Sequence, residues 1–155
     1  MTFVVLALGG NLGNVSQTFQ RAIDALQNAG MKDIKISNFR ETAPVDCTPD
    51  SADFTNGAIC GSWSDSAENL LTLCQQLEVD AGRPRKHEIN SPRPLDIDII
   101  IFGNQQINLP HLIIPHPETG NRQFVLEPVT EIAPEVIVPG LNRTFNELLS
   151  QLKLP

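Results

Sequence analysis

The chain has 155 residues, 41% of them hydrophobic, and 11 Lys plus Arg against 18 Asp plus Glu, for a formal charge of −7. That length supports one globular domain, expected over residues 1–155, whose core needs neither disulfides nor a structural metal, so a disordered chain and a disulfide-held miniprotein are excluded. The acidic balance argues against nucleic acid as a partner, no apolar run approaches the roughly 20 residues of a membrane span, and the start MTFVVLALGG lacks a basic leader region, so a soluble cytoplasmic protein is expected.

Thr2 to Leu8 is a β-branched apolar run that predicts a buried strand turning at Gly9-Gly10-Asn11. From Val15 the apolar positions Phe19, Ala22, Ile23 and Leu26 follow helical spacing, with Asn14 and Gln17 as a capping box and Gly30 as the stop. Ile34 to Thr42 and Phe54 to Trp63 read as strands separated by an irregular connection at 43–53. Asp65 and Glu68 open a second helix with the stripe Ala67, Leu70, Leu71, Cys74 and Leu77, closed by Gly82. A fourth strand runs from Leu95 to Phe102, and past Gly103 a proline-rich extension ends in a short amphipathic helix at Thr144 to Leu152. The order β-α-β-β-α-β predicts an α+β, ferredoxin-like antiparallel sheet with both helices on one face and the other face left for ligand. Cys47, Cys60 and Cys74 are odd in number, lack C-x-x-C spacing, and read as free thiols.

The sharpest chemical signal is Asp96-Ile97-Asp98 inside the apolar fourth strand. Carboxylates two apart on a strand share a face, about 7 Å apart along the backbone, and can converge on hard cations such as magnesium. A pair of exposed carboxylates at a strand start is the plainer reading. Four of the eleven basic side chains, Arg83, Arg85, Lys86 and Arg93, lie in the loop just before this pair. Cations beside a metal pair suit a nucleoside triphosphate and favour phosphoryl or diphosphoryl transfer. No P-loop motif is present, and Gly9-Gly10-Asn11-Leu12-Gly13 is a strand-to-helix turn with some ligand contact. Glu78 falls beside the helical stripe, at its edge or reaching a partner, while His116, between two prolines, is either a phosphate contact or a structural loop histidine.

The segments A-L-G-G-N-L-G, T-A-P-V at 42–45, F-T-N-G-A at 54–58, L-E-V-D-A-G-R-P-R at 77–85, P-R-P-L-D-I-D-I-I-I-F-G at 92–103, P-H-P at 115–117 and N-R-Q-F-V-L-E-P at 121–128 resemble the 6-hydroxymethyl-7,8-dihydropterin pyrophosphokinases of folate synthesis, in order and along nearly the whole chain. The resemblance implies transfer of the terminal diphosphoryl group of ATP to the hydroxymethyl oxygen of the pterin, leaving AMP. It implies two magnesium ions on Asp96 and Asp98. Arg83 and Arg93 would join them in catalysis. Asn56, with Thr42, Pro44 and Val45, would read the pterin's amide edge, while Phe54 and Phe124 would sandwich its ring. Arg83, Arg85, Arg93, His116 and Arg122 would meet the phosphates, and Gln75, Glu78 and Ile99 the nucleoside. A monomer is expected.

Where the family has a basic residue, tryptophan and glycine before P-R, this chain has Ile89, Asn90 and Ser91; Pro117 stands where many members have tyrosine, and Phe54 where some do. A non-catalytic pterin or nucleotide-binding paralogue, and a metal-dependent nucleotidyl transferase using the same carboxylates, are the competing functions.

Overall fold

Alternation along the first strand sets the architecture: Val4, Leu6 and Leu8 join one core cluster while Val5 and Ala7 join another, so both faces of this strand are buried. The computed structural model describes residues 1–42, 54–82 and 94–153. In chain order these form β1 (Thr2–Gly10), α1 (Val15–Asn28), β2 (Lys32–Ile36), β3 (Arg40–Thr42), β4 (Phe54–Trp63), α2 (Ala67–Asp80) and β5 (Asp96–Phe102). There follow the hairpin β6 (Ile107–Leu109) and β7 (Leu112–Ile114), then α3 (Gln123–Ile132), the small ladder β8 (Ile137–Val138) and β9 (Arg143–Thr144), and α4 (Phe145–Lys153).

The main sheet has the order β2-β4-β1-β5, with β3 also on β4, and every pairing is antiparallel. Central β1 and β4 are long and apolar, whereas β2, at the sheet's edge, reads Lys-Asp-Ile-Lys-Ile and carries a bulge with Asp33 at φ 54°. Charge and a bulge on an edge strand discourage pairing with another chain.

Both expected helices start and stop where local chemistry directs. The Gln17 amide donates to Asn14 Oδ1 at 3.1 Å, and Gly30, at φ 111°, lets its own N–H and that of Met31 close on the Gln27 and Leu26 carbonyls. The second helix differs by one residue from expectation, because Ser66 rather than Asp65 is the cap, accepting from the Asn69 amide at 3.1 Å. Asp65 instead accepts from the Ser66 amide, and hydrogen bonds to it from Asn69 and Ser66 lower its pKa. Phe19, Ala22, Ile23 and Leu26 of α1 and Ala67, Leu70 and Cys74 of α2 pack on Leu6, Ile59, Ile97 and Ile99.

Three further expectations are corrected. The strand anticipated over 34–42 is two strands, because Ser37 Oγ accepts from the Ala58 amide at 2.9 Å and Phe39 turns in to meet Phe19 edge-on at 5.0 Å. Gly9 and Gly10 are ladder residues of β1, opposite Asn56 and Thr55, rather than a turn. The proline-rich stretch contains α3 despite Pro128 within it, and α3 with α4 covers the second sheet face through Leu126, Val129, Phe145 and Leu148 on Val5, Ala7, Ala58 and Cys60. Apolar burial on both sides outweighs one missing helical N–H. The face expected to be free for ligand is therefore covered at one end.

Candidate functional site

Register decides what remains at the other end of that face. Gly9 pairs with Asn56 on one side and Asp96 on the other, and two residues earlier Ala7 pairs with Ala58 and Asp98. Directly opposed residues share a face, so Asn56, Gly9 and Asp96 form one cross-strand row and Ala58, Ala7 and Asp98 the next. Ala7 and Ala58 already lie in the core beneath α3 and α4, so the covered region ends where the polar row begins. With strands about 4.8 Å apart, the row spans about 10 Å from Asn56 to Asp96.

Asn56 is only 7% exposed, and its Nδ2 donates to Thr42 Oγ1 at 3.3 Å. Phe54, half-buried, precedes it on the same face. Phe124 stands in the first turn of α3, with the Arg122 guanidinium 5.9 Å from its ring centre, a cation–π distance that also brings positive charge to that helix start.

Asp98 faces His116, whose Nε2 lies 3.8 Å from Oδ1. A cis Ile114–Pro115 bond precedes this histidine, and its amide donates to the Ile100 carbonyl at 3.1 Å, at the bulge where β5 slips against β1. His116 Nδ1 accepts from the Glu118 amide at 3.2 Å, so the neutral ring is assigned its proton on Nε2, toward Asp98. Among the described residues no three metal-binding side chains cluster. The two carboxylates still fit magnesium, which is held through one or two carboxylates and completes its shell with water and phosphate oxygens.

The residues expected at the nucleoside do not join this face. Gln75 is exposed on α2, and the Ile99 side chain is buried in the core beneath α1 and α2. Glu78 reaches a partner: its Oε2 accepts from the Ile97 amide at 2.8 Å, on the side of β5 that no strand among the described residues covers. Ile99 has the same pleat parity, so its backbone too is directed away from β1, and it is by backbone rather than side chain that it can meet a ligand. Burial pushes the Cys74 thiol up, and the neighbouring Glu78 and Asp98 carboxylates push it further. Cys60 is likewise raised by burial, and both are free thiols. Pro44, Val45, Arg83, Arg85 and Arg93, with Lys86, Cys47 and the 89–91 departure, lie outside the described residues.

Two features escaped the sequence reading. Gly9 is the floor of the polar row, for which a strand glycine beside an acidic strand is the only local signal. Glu131 of α3 pairs with Arg40 at 2.7 Å and accepts from the Asn38 amide at 2.9 Å, tying α3 to the segment that leads to Thr42. Those partners are some ninety residues apart in sequence, which no local pattern reveals.

Residues 5–134 match the family model of 7,8-dihydro-6-hydroxymethylpterin-pyrophosphokinase. The chain is 35% identical to the 2-amino-4-hydroxy-6-hydroxymethyldihydropteridine pyrophosphokinase of Synechocystis over 96% of this chain and 75% of that protein. It is 38% identical to the mitochondrial folate synthesis bifunctional protein of Arabidopsis thaliana over 83% of this chain, and it spans 23% and 26% of the length of two such Arabidopsis proteins. A crystal structure of an HPPK-DHPS protein in complex with substrates superposes with a TM-score of 0.74 at 13% identity, over 98% of this chain and 45% of that one, a likeness of fold. No helix among the described residues is long and apolar enough to cross a membrane. With the family model spanning most of its length and its relatives aligned across both sheet and site, the chain belongs to the 7,8-dihydro-6-hydroxymethylpterin-pyrophosphokinase family.

Proposed function

We infer that this chain transfers the diphosphoryl group of ATP to 6-hydroxymethyl-7,8-dihydropterin in folate synthesis. The hydroxymethyl oxygen attacks the β-phosphorus, the bond from that phosphorus to the oxygen bridging the α-phosphate breaks, AMP leaves, and the hydroxyl proton passes to solvent. The observation that carries this reading is the row Asn56, Gly9, Asp96, which sets an amide reader about 10 Å from a carboxylate pair on one sheet face.

Asn56 and Thr42 hydrogen-bond the pterin's amide edge, with Pro44 and Val45 beside them, and Phe54 and Phe124 stack on its ring. Stacking with edge hydrogen bonds suits a flat heterocycle with a polar rim. Asp96 and Asp98 would hold two magnesium ions, which would supply charge screening for the triphosphate. Arg83, Arg85, Arg93 and Arg122 neutralise phosphate oxygens, and His116 donates its Nε2 proton to one of them, Asp98 at 3.8 Å being beyond hydrogen-bond reach. Gln75, Glu78 and the Ile99 backbone line the nucleoside side. We read the core as ferredoxin-like, residues 1–155 as one pyrophosphokinase domain, and the protein as a cytoplasmic monomer; the strand order β2-β4-β1-β5, with α1 and α2 on one face, supports the first of these.

The test is product identity. Phosphorus NMR is expected to find AMP and a pterin diphosphate only when ATP, magnesium and hydroxymethyldihydropterin are all present. Binding of both substrates without turnover would instead mark a non-catalytic paralogue, the reading favoured by Ile89, Asn90 and Ser91. Release of inorganic diphosphate would mark a nucleotidyl transferase.

A further inference from the structure

Four glycines lie in the two central strands, and three have a reason inside the protein. A Cβ at Gly10 would lie 2.5 Å from the Pro94 carbonyl oxygen, at Gly57 2.7 Å from the Phe39 ring, and at Gly61 2.9 Å from the Lys32 carbonyl oxygen. Gly9 has none. Its φ is ordinary, and a Cβ there would meet Asn56 Oδ1 at 3.6 Å and the Phe54 ring at 3.9 Å, both ordinary contact distances. A glycine in a strand interior weakens the strand unless something approaches its backbone closely. Nothing in the described protein does so at Gly9, yet it lies between Asn56 and Asp96 in their cross-strand row.

We propose that Gly9 is a specificity-determining residue of the pterin site: its missing side chain leaves room on the sheet floor for the edge of a flat heterocycle whose two faces are held by Phe54 and Phe124, between the amide of Asn56 and the carboxylate of Asp96. This rests on the proposed pterin substrate. A methyl group would raise the floor by about 1.5 Å, the length of one carbon–carbon bond. In a stacked pocket that displacement cannot be absorbed without losing either the ring contacts or the edge hydrogen bonds. On the proposed function the nucleotide lies toward His116 and the uncovered edge of β5, so its binding is expected to be unchanged.

The experiment compares wild type with Gly9→Ala, reading 6-hydroxymethylpterin binding by its fluorescence, binding of a non-hydrolysable ATP analogue by calorimetry, and the melting temperature. Expected are a pterin Kd raised at least tenfold, an analogue Kd within twofold, and an unchanged melting temperature. Equal pterin affinity in the two proteins overturns the proposal, and so does a large fall in melting temperature, which would make the glycine structural. The same pair in an Asn56→Ala background separates floor from neighbour: a persisting loss supports the proposal, whereas disappearance shows that the methyl acts by moving Asn56 and overturns it. Failure of wild type itself to bind 6-hydroxymethylpterin would reject the pterin reading, a result distinct from each of these.

Discussion

Glu78 is placed to hold the strand that carries the carboxylates. Among the described residues β5 is paired on one side only, and the Ile97 amide between Asp96 and Asp98 donates at 2.8 Å to Glu78 Oε2 on α2. Ile97 is 5% exposed, so Glu78→Ala leaves a buried donor without its charged acceptor. Loss of such a bond costs about 2 kcal/mol, which lowers the melting temperature of a chain this long by about 4 to 8 °C and speeds exchange of the Ile97 amide about 30-fold. Glu78→Gln keeps an acceptor at the same reach and should lose about half as much, since neutral bonds are roughly half as strong. Melting curves and amide exchange followed by NMR read both quantities without substrate. An alanine variant with wild-type melting and wild-type exchange at Ile97 would refute the argument. If, with melting unchanged, both variants lost ATP affinity equally, Glu78 would act on the nucleoside alone.

Asp96→Asn and Asp98→Asn should each abolish diphosphoryl transfer while retaining the wild-type circular dichroism spectrum, because each removes a hard-cation ligand at constant volume; near-normal turnover at saturating magnesium would remove the metal assignment. Asn56→Ala should weaken pterin binding by about 1 to 3 kcal/mol and ATP binding little, and calorimetry giving equal losses would reject that division. Gly10→Ala drives a methyl against the Pro94 carbonyl oxygen 2.5 Å away, two residues before Asp96, so a loss of about 1 to 3 kcal/mol in denaturant unfolding is expected together with reduced turnover. The raised Cys74 thiol has a pH consequence: up to about 9.0 both states keep the proton, and above it the unfolded chain alone releases it. Stability should therefore fall with rising pH above that point, by about 1.4 kcal/mol per unit, and a flatter profile is expected for Cys74→Ala; identical slopes in the two proteins would contradict it.

Sequence alone determined whatever depends on local period. Val4, Leu6 and Leu8 alternating with Val5 and Ala7, and the stripe Phe19, Ala22, Ile23 and Leu26, identify a strand and a helix because each pattern repeats within a few residues. The same period-two rule put Asp96 and Asp98 on one face. Ordered motif segments carried the family, since spacing along a chain is itself a sequence property.

Tertiary structure decided what depends on partners far away. Ser37 and Phe39 break a strand that looks continuous because Ala58 and Phe19 offer them better contacts, and α3 keeps Pro128 because Leu126 and Val129 are buried on the sheet. His116 meets Asp98 and Glu78 meets Ile97 only after the chain has folded back on itself. The row of Asn56, Gly9 and Asp96 comes from three strands whose register no segment specifies by itself: a slip of one residue would send every side chain of a strand to the opposite face, and burial of both sheet faces selects the register that leaves the polar row at the uncovered end.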